Sequence, residues 1–347
     1  MSVTAAAPSR PTPSAPAAKP LPLGGAITAG LAAAMERDES VIIMGEDVGR
    51  LGGVFRVTAG LQDRFGPDRV RDTPLAESGI VGTAIGMAMG GYRPVVEIQF
   101  DGFVFPAFDQ ITTQLAKLRY RSVGDLAVPV VIRIPYGGNI GAIEHHSESP
   151  ETYFAHTAGL RVVTPSSPAD AYTMIQQAIV CPDPVVFLEP KARYWAKGAV
   201  PDAVDLTPQG VVEGLERSAT LRPGNDVTLA GYGPTVATLL KAADAAARDG
   251  VSAEVIDLRS VSPLDVPAVA ESVRRTGRLI VVHEAPASFG PGAELAARVT
   301  EECFYSLQAP ILRVGGFHTP YPASAHEHDY LPGLDRVLDA IERSLAY

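Results

Sequence analysis

From residue 25 onward, short runs of uninterrupted apolar residues alternate with amphipathic stretches. The Val-Ile-Ile-Met run inside residues 40–45 predicts a buried strand, and residues 95–100, 128–134, 161–164 and 185–189 repeat the pattern. Helical spacing fills residues 25–37, 108–120 and 169–180 between them. Continuous Val/Ile strands separated by helices are what a parallel sheet covered on both faces requires. A second alternation follows, with strands over 226–231, 253–257, 278–283 and 311–314 and helices over 235–249, 267–275, 292–304 and 334–345. Residues 197–209 carry Pro and Asp without either period. The pattern predicts two α/β domains, 23–197 and 213–347, joined by a linker over 198–212.

Composition narrows this picture. A chain of 347 residues with 46% hydrophobic content is long enough for two cores. Its net charge of -10 speaks against a nucleic-acid-binding surface, which needs a basic face. The two cysteines, Cys181 and Cys303, provide neither a disulfide framework nor metal-ligand spacing, as expected for a reducing cytoplasm. The small-apolar run from Gly79 to Gly91 is shorter than the roughly 20 residues a bilayer span needs, so no membrane role is expected. Residues 1–22, almost all Ala, Pro, Ser and Thr, are expected to form a disordered tail. A transit peptide would need an Arg-rich amphipathic helix, and this segment has a single arginine, Arg10.

Candidate chemistry begins at Asp72-Thr73-Pro74-Leu75-Ala76-Glu77-Ser78-Gly79. Pro74 biases Thr73 toward extended dihedrals, so the chain enters a helix through an extended turn with Glu77 in or near the first turn. Taken alone, Glu77 need only complement the positive end of the helix dipole, worth about 0.3–1 kcal/mol. His145-His146-Ser147 is a second candidate, since histidine titrates near neutrality; taken alone, it reads more readily as a polar surface loop. Gly82, Gly86 and Gly90 recur every fourth residue and leave one helical face bare, which suits close backbone approach. His326 and His328 resemble half a metal site, but no further ligands stand near them in sequence, so solvated histidines are expected.

Read together, TPLAESGIVG, VVEIQFDGFVFPAFDQI, EHHSESPETYFAHTAGLRVV, EVIDLRSVSPLD, HEAP and GGFHTPYP resemble, in order, the beta subunits of the thiamine diphosphate-dependent 2-oxo acid dehydrogenase decarboxylating components. Within that group the branched-chain type is the best match. The resemblance covers roughly residues 24–345. It implies a transketolase-like pyrimidine-binding α/β domain followed by a smaller α/β domain of the transketolase C-terminal type. It also implies that Glu77 faces the aminopyrimidine ring of the cofactor, that Leu75, Gln99 and Phe103 line that ring, and that His146 is the active-site histidine. Phe103 stands where related chains often carry tyrosine. The HEAP segment is expected to be structural, near a subunit contact, and the glycine stripe to meet a helix of another subunit.

Single-chain enzymes of this chemistry carry Gly-Asp-Gly and a downstream Asn-Asn for magnesium and diphosphate. This chain has neither motif, and its only asparagines are Asn139 and Asn225. The resemblance therefore implies an alpha subunit that holds Mg2+ and the diphosphate half, in an α₂β₂ heterotetramer. A potassium ion near residues 181–183 is possible, although Ala178 and Cys181 depart from the expected pattern. The implied activity is oxidative decarboxylation of a small branched-chain 2-oxo acid, in branched-chain amino acid catabolism, with acyl transfer to the lipoyl arm of an acyltransferase core. Pyruvate or acetoin dehydrogenase is the alternative within the class. A non-catalytic scaffold docking on the acyltransferase is the alternative outside it, and would need neither Glu77 nor His146.

Overall fold

Strands that are apolar on both sides can only sit where both faces are covered, and this chain builds two such sheets. The computed structural model describes residues 20–347. The expected tail lies outside the described residues except for its last three positions. In the first sheet the order across space is Ser260–Ser262, Arg161–Val163, Val185–Pro190, Val131–Tyr136, Arg93–Glu97, Val41–Gly45 and Val70–Asp72. All neighbours are parallel except Ser260–Ser262, which pairs antiparallel with Arg161–Val163.

The two-residue side-chain period divides this sheet between two cores. Val131 and Phe187 pack beneath helices Leu23–Arg37 and Pro168–Val180, whereas Ile132 and Val186 point the other way. The two helices touch closely at Gly30, where a Cβ would lie 2.5 Å from Cγ2 of Ile175.

The second sheet runs Leu312–Gly316, Leu279–Pro286, Val227–Gly231, Ala253–Asp257 and Ala219–Arg222, with only the last pair antiparallel. Helices Val236–Arg248 and Leu334–Leu345 cover one face, and Val266–Thr276 and Pro291–Cys303 cover the other.

Each sheet closes a core of its own on one face, and the two share a third core between them. Ile134, Tyr136 and Phe154 from the first sheet side pack in one cluster with Tyr232, Ile256 and Val281 from the second. The sequence pattern missed this because a strand feeding a shared core looks like any other apolar run. It also missed Ser260–Ser262, a three-residue strand that leaves the second unit to edge the first sheet.

Two other departures have local causes. Within the expected linker, helix Pro208–Glu216 begins with Thr207 as N-cap, its hydroxyl accepting from the Gly210 amide at 3.2 Å, and the Gln177 amide group donates to the Gly210 carbonyl. The expected helix 108–120 is helical throughout but irregular: it follows a 3₁₀ segment Asp101–Ala107 containing Pro106 and passes through a π-helical stretch Gln110–Leu115 before the α-helix Ala116–Arg121. Pro106 removes an amide donor late in the 3₁₀ segment, and π segments insert a residue that re-aims the neighbouring side chains. No helix among the described residues is long and apolar enough to cross a membrane.

Candidate active site

The carboxyl ends of the parallel strands carry the candidate side chains, as in open α/β sheets generally. Strand Val70–Asp72 delivers the chain to Thr73, whose amide donates to the Gly45 carbonyl at 2.9 Å. After the extended turn at Pro74, helix Glu77–Met89 opens on Glu77. Its residues 74–76, 78 and 79 are exposed while Glu77 is only 8% exposed, so the acid is turned inward from an otherwise open turn. Among the described residues nothing donates a hydrogen bond to it.

Beside it lies Glu46, at the end of strand Val41–Gly45. Partial desolvation, then the nearby Asp47 and Glu77 charges, push its carboxyl above the usual range. The Gln99 side chain reaches toward the Glu46 carbonyl at 3.5 Å, a long contact. Leu75, 71% exposed, stands at the rim.

Across this edge sits His146, at the end of the 3₁₀ turn Glu144–His146. Its ring stacks on Phe100 with centroids 4.0 Å apart and 25° between planes, and Phe103 meets it edge-on at 5.3 Å. Nδ1 lies 2.8 Å from the His145 carbonyl oxygen. A carbonyl only accepts, so Nδ1 carries the proton and the neutral ring keeps Nε2 as a free acceptor. Phe103 and His146 are thus brought together, while Gln99 lies toward Glu46 and Glu77.

The loop carrying His146 is held from two directions. From below, the Lys191 ammonium pairs with Asp101 and donates to the His146 carbonyl at 2.6 Å, and Asp101 also accepts from the Glu148 amide at 2.9 Å. Both side chains are fully buried. From the second unit, Glu284 of strand Leu279–Pro286 accepts from the Gly138 amide at 2.9 Å, and Glu327 of helix Glu327–Tyr330 accepts from the Asn139 amide at 2.7 Å and the Gly141 amide at 3.2 Å. Gly138 is required here, because a Cβ would fall 2.0 Å from the Tyr321 hydroxyl.

His283, the first residue of the HEAP segment, is fully buried, with burial pushing its imidazole down to about 4. Both HEAP side chains are therefore engaged inside the chain, Glu284 on the loop and His283 on the Ala285 carbonyl.

Under the edge, Arg133 bridges Glu97 and Glu189 in the sheet interior, and Tyr194 adds a hydroxyl to Glu189 at 2.6 Å. Removing one partner of such a buried array leaves an uncompensated charge, so it acts as a rigid floor.

Comparison with known proteins decides the family. Residues 19–196 match the transketolase pyrimidine-binding domain and residues 216–337 the transketolase C-terminal domain. A protein of Leifsonia xyli subsp. xyli named pyruvate dehydrogenase E1 component subunit beta is 58% identical, over 96% of this chain and 97% of that one. The chain belongs to the beta subunits of the thiamine diphosphate-dependent 2-oxo acid dehydrogenases. The beta subunit is also 54% identical to the 3-methyl-2-oxobutanoate dehydrogenase subunit beta of Mycobacterium tuberculosis, over 92% of this chain and 90% of that one. In fold it resembles a split-gene transketolase solved as an inactive beta4 tetramer, with a TM-score of 0.75 and 21% identity over 94% of this chain and 98% of that one.

The site residues fit one half of thiamine diphosphate. A nearly buried carboxylate with no hydrogen-bond partner among the described residues, on the same sheet edge as the aromatic pair Phe100 and Phe103, suits a flat, nitrogen-bearing ring. For a metal-bound diphosphate, the described residues of the beta subunit hold no group of three metal-capable side chains. Asp183, in the segment where potassium is possible, is taken by the guanidiniums of Arg119 and Arg161. The cavity of about 1020 Å³ beside them, lined by Tyr120, Arg121, Leu160 and Pro263, contains none of Glu77, Gln99, Phe103 or His146.

Sequence reasoning missed Glu46, Phe100, Asp101 and Lys191. Glu46 could have been found as the acid that ends a buried strand. Lys191 carries no such signal, because only the fold brings it to Asp101.

Proposed function

We propose that this beta subunit serves a branched-chain 2-oxo acid dehydrogenase, oxidatively decarboxylating branched-chain 2-oxo acids and passing the acyl group to the lipoyl arm of an acyltransferase core. The observation that carries the catalytic reading is the Glu77 carboxylate, turned inward at the carboxyl edge of the sheet and left without a hydrogen-bond partner among the described residues. Such a group can share a proton with a ring nitrogen docked against it. Gln99, Phe103 and Leu75 line the same ring. Thiamine diphosphate, when bound, supplies the nucleophilic carbon and the electron sink. His146, its Nε2 free and its ring fixed by Phe100, is placed to exchange a proton with the reacting group as acyl transfer proceeds.

An alpha subunit completes the site in an α₂β₂ tetramer, holding Mg2+ and the diphosphate. Helix Glu77–Met89 supports this arrangement, because a Cβ built at Gly82 or Gly86 meets nothing within 4 Å. The bare face is thus not used for packing among the described residues. By the same reasoning the chain alone is inactive. A scaffold role is disfavoured, since docking alone gives no reason for an inward, unpartnered acid.

The test is co-expression with the alpha chain of the neighbouring reading frame and assay with a panel of 2-oxo acids. The branched-chain acids should give the highest turnover with an artificial electron acceptor. Pyruvate is the second reading, favoured by the 58% identity to a chain named for it, and preferential turnover of pyruvate would replace the first.

A further inference from the structure

Lys191 and Asp101 form a buried pair that no site residue named so far requires for its own chemistry. Asp101 opens the 3₁₀ segment Asp101–Ala107, directly after the ring that stacks on His146, and Lys191 opens the turn Lys191–Arg193 after strand Val185–Pro190. One Lys191 ammonium reaches three targets: the Asp101 carboxylate, the His146 carbonyl at 2.6 Å, and the face of Phe100, 5.4 Å from its centroid. Asp101 uses its second oxygen on the Glu148 amide. The backbone on either side of Ser147 is therefore pinned at His146 and Glu148, and Ser147 itself is buried.

We infer that Lys191 and Asp101 are positioning residues for His146, setting both the backbone that carries the imidazole and the Phe100 platform on which it lies. Burying this pair costs several kcal/mol per ion before the attraction is counted, and a hydrophobic pair of the same shape would often be as stable. Stability alone therefore does not explain it. What an apolar pair could not do is donate to the His146 carbonyl while accepting from the Glu148 amide. The ammonium over Phe100 also orients that ring, because a cation prefers the π face. The opposite clamp, from Glu284 and Glu327, holds the loop upstream at residues 138–141, so the lysine pair is the one that acts at the histidine itself.

The catalytic half of this inference rests on the reading of His146 as the active-site histidine; the geometric half does not. The test uses the assembled α₂β₂ enzyme and compares Asp101→Asn/Lys191→Met, which leaves no buried charge, with Asp101→Asn/Lys191→Gln, which keeps a neutral donor. Carbethoxylation by diethyl pyrocarbonate, read by peptide mass spectrometry, gives the labelling rate of His146 relative to its exposed neighbour His145. In the methionine variant the ratio should rise at least about threefold and reductive acylation of lipoyl should fall about tenfold, within the range that a small misplacement produces. In the glutamine variant both should lie nearer wild type.

An unchanged labelling ratio in an assembled methionine variant would overturn the positioning role, as would equal changes in the two doubles. If the methionine variant does not assemble, Phe100→Leu removes the platform without touching a charge; a raised ratio there supports the inference and an unchanged one sinks it. His146→Ala is run alongside. If it leaves reductive acylation at the wild-type rate, the catalytic reading of His146 fails, while the labelling ratio still decides whether the pair positions it.

Discussion

The two sides of the candidate site are built in opposite ways. The Glu77 side is a helix whose acid is buried between the exposed residues 74–76 and 78–79, and where a Cβ at Gly82 or Gly86 would meet nothing within 4 Å among the described residues. The His146 side is a loop tied down by Lys191, Asp101, Glu284 and Glu327, with the imidazole packed on two aromatic rings. One side is preorganised by this chain; the other is left open for a partner. A chain that supplies half a site can fix its own geometry only where its own backbone surrounds the residue, and it must leave bare the surface on which the other half will close.

The largest expected effect tests the open side. Glu77→Gln in the assembled enzyme removes the only inward carboxylate of the helix while keeping its shape. Decarboxylation, followed with an artificial electron acceptor, should fall about 10²–10⁴-fold, the range for losing a positioned acid or base, with the tetramer intact. A near-normal rate would break the comparison by showing that the acid is only a dipole partner.

Assembly is the next discriminator. Gly86→Leu should leave the melting of the isolated chain unchanged, because there is open space around that position. It should weaken association with the alpha chain, since overpacking at a contact costs about 1–3 kcal/mol and more where backbones meet. A tetramer of normal stability by light scattering would mean the stripe faces solvent in the assembly too.

On the clamped side, Glu327→Gln keeps an acceptor but removes its charge. Hydrogen bonds to charged groups contribute about 1.5–3 kcal/mol against 0.5–1.5 for neutral ones. The amides of Asn139 and Gly141 should exchange with deuterium about tenfold faster, in line with a loss of roughly 1.4 kcal/mol of local protection. Unchanged exchange would show that the loop is held mainly by Glu284 and the lysine pair.

Much of this contrast was readable in the sequence on the open side and little on the clamped side. Glu77 and the glycine stripe lie within one helix, so their relation is a matter of local spacing. The strands Val41–Gly45 and Val185–Pro190 announce themselves in the same way, by short apolar runs. The clamp joins residues whose sequence separations are 45 between His146 and Lys191, 146 between Gly138 and Glu284, and 188 between Asn139 and Glu327. No period or motif encodes such pairs, because they exist only after the second sheet has packed on the first. For the same reason the helix Pro208–Glu216 at the end of the expected linker, and the core that the two sheets share besides their own, were not legible.

The seam that creates this clamp should also leave a mark on stability. Burial pushes the carboxyls of Glu151 and Glu284 up to about 7. Glu151 accepts from the Tyr232 hydroxyl at 2.7 Å with its other oxygen unpartnered, and Glu284 faces Glu151, Glu327 and Lys191 as well as the Gly138 amide. Asp257 is likewise pushed up to about 7, first by burial and then by Asp170, against the Ser166 hydroxyl and the Arg259 amide.

Each of these groups holds its proton in the folded chain at a pH where the unfolded chain has lost it. Their stabilisation is therefore fully present below the unfolded carboxyl values and is lost as pH rises through about 7. His283 works in the other direction: burial lowers it to about 4, so it favours the folded state less as pH falls below its unfolded value near 6.5. Between about pH 6.5 and 8 three carboxyls oppose one histidine, and the net should be a loss on the order of 1 kcal/mol, or a fall in melting temperature of roughly 2–4 °C. Glu151→Gln, which keeps an acceptor for Tyr232, should flatten that slope. A melting temperature that rises across this range, measured by calorimetry at constant ionic strength, would mean that the seam carboxyls are already ionised and solvated in the folded chain, and that the clamped side is looser than its hydrogen bonds imply.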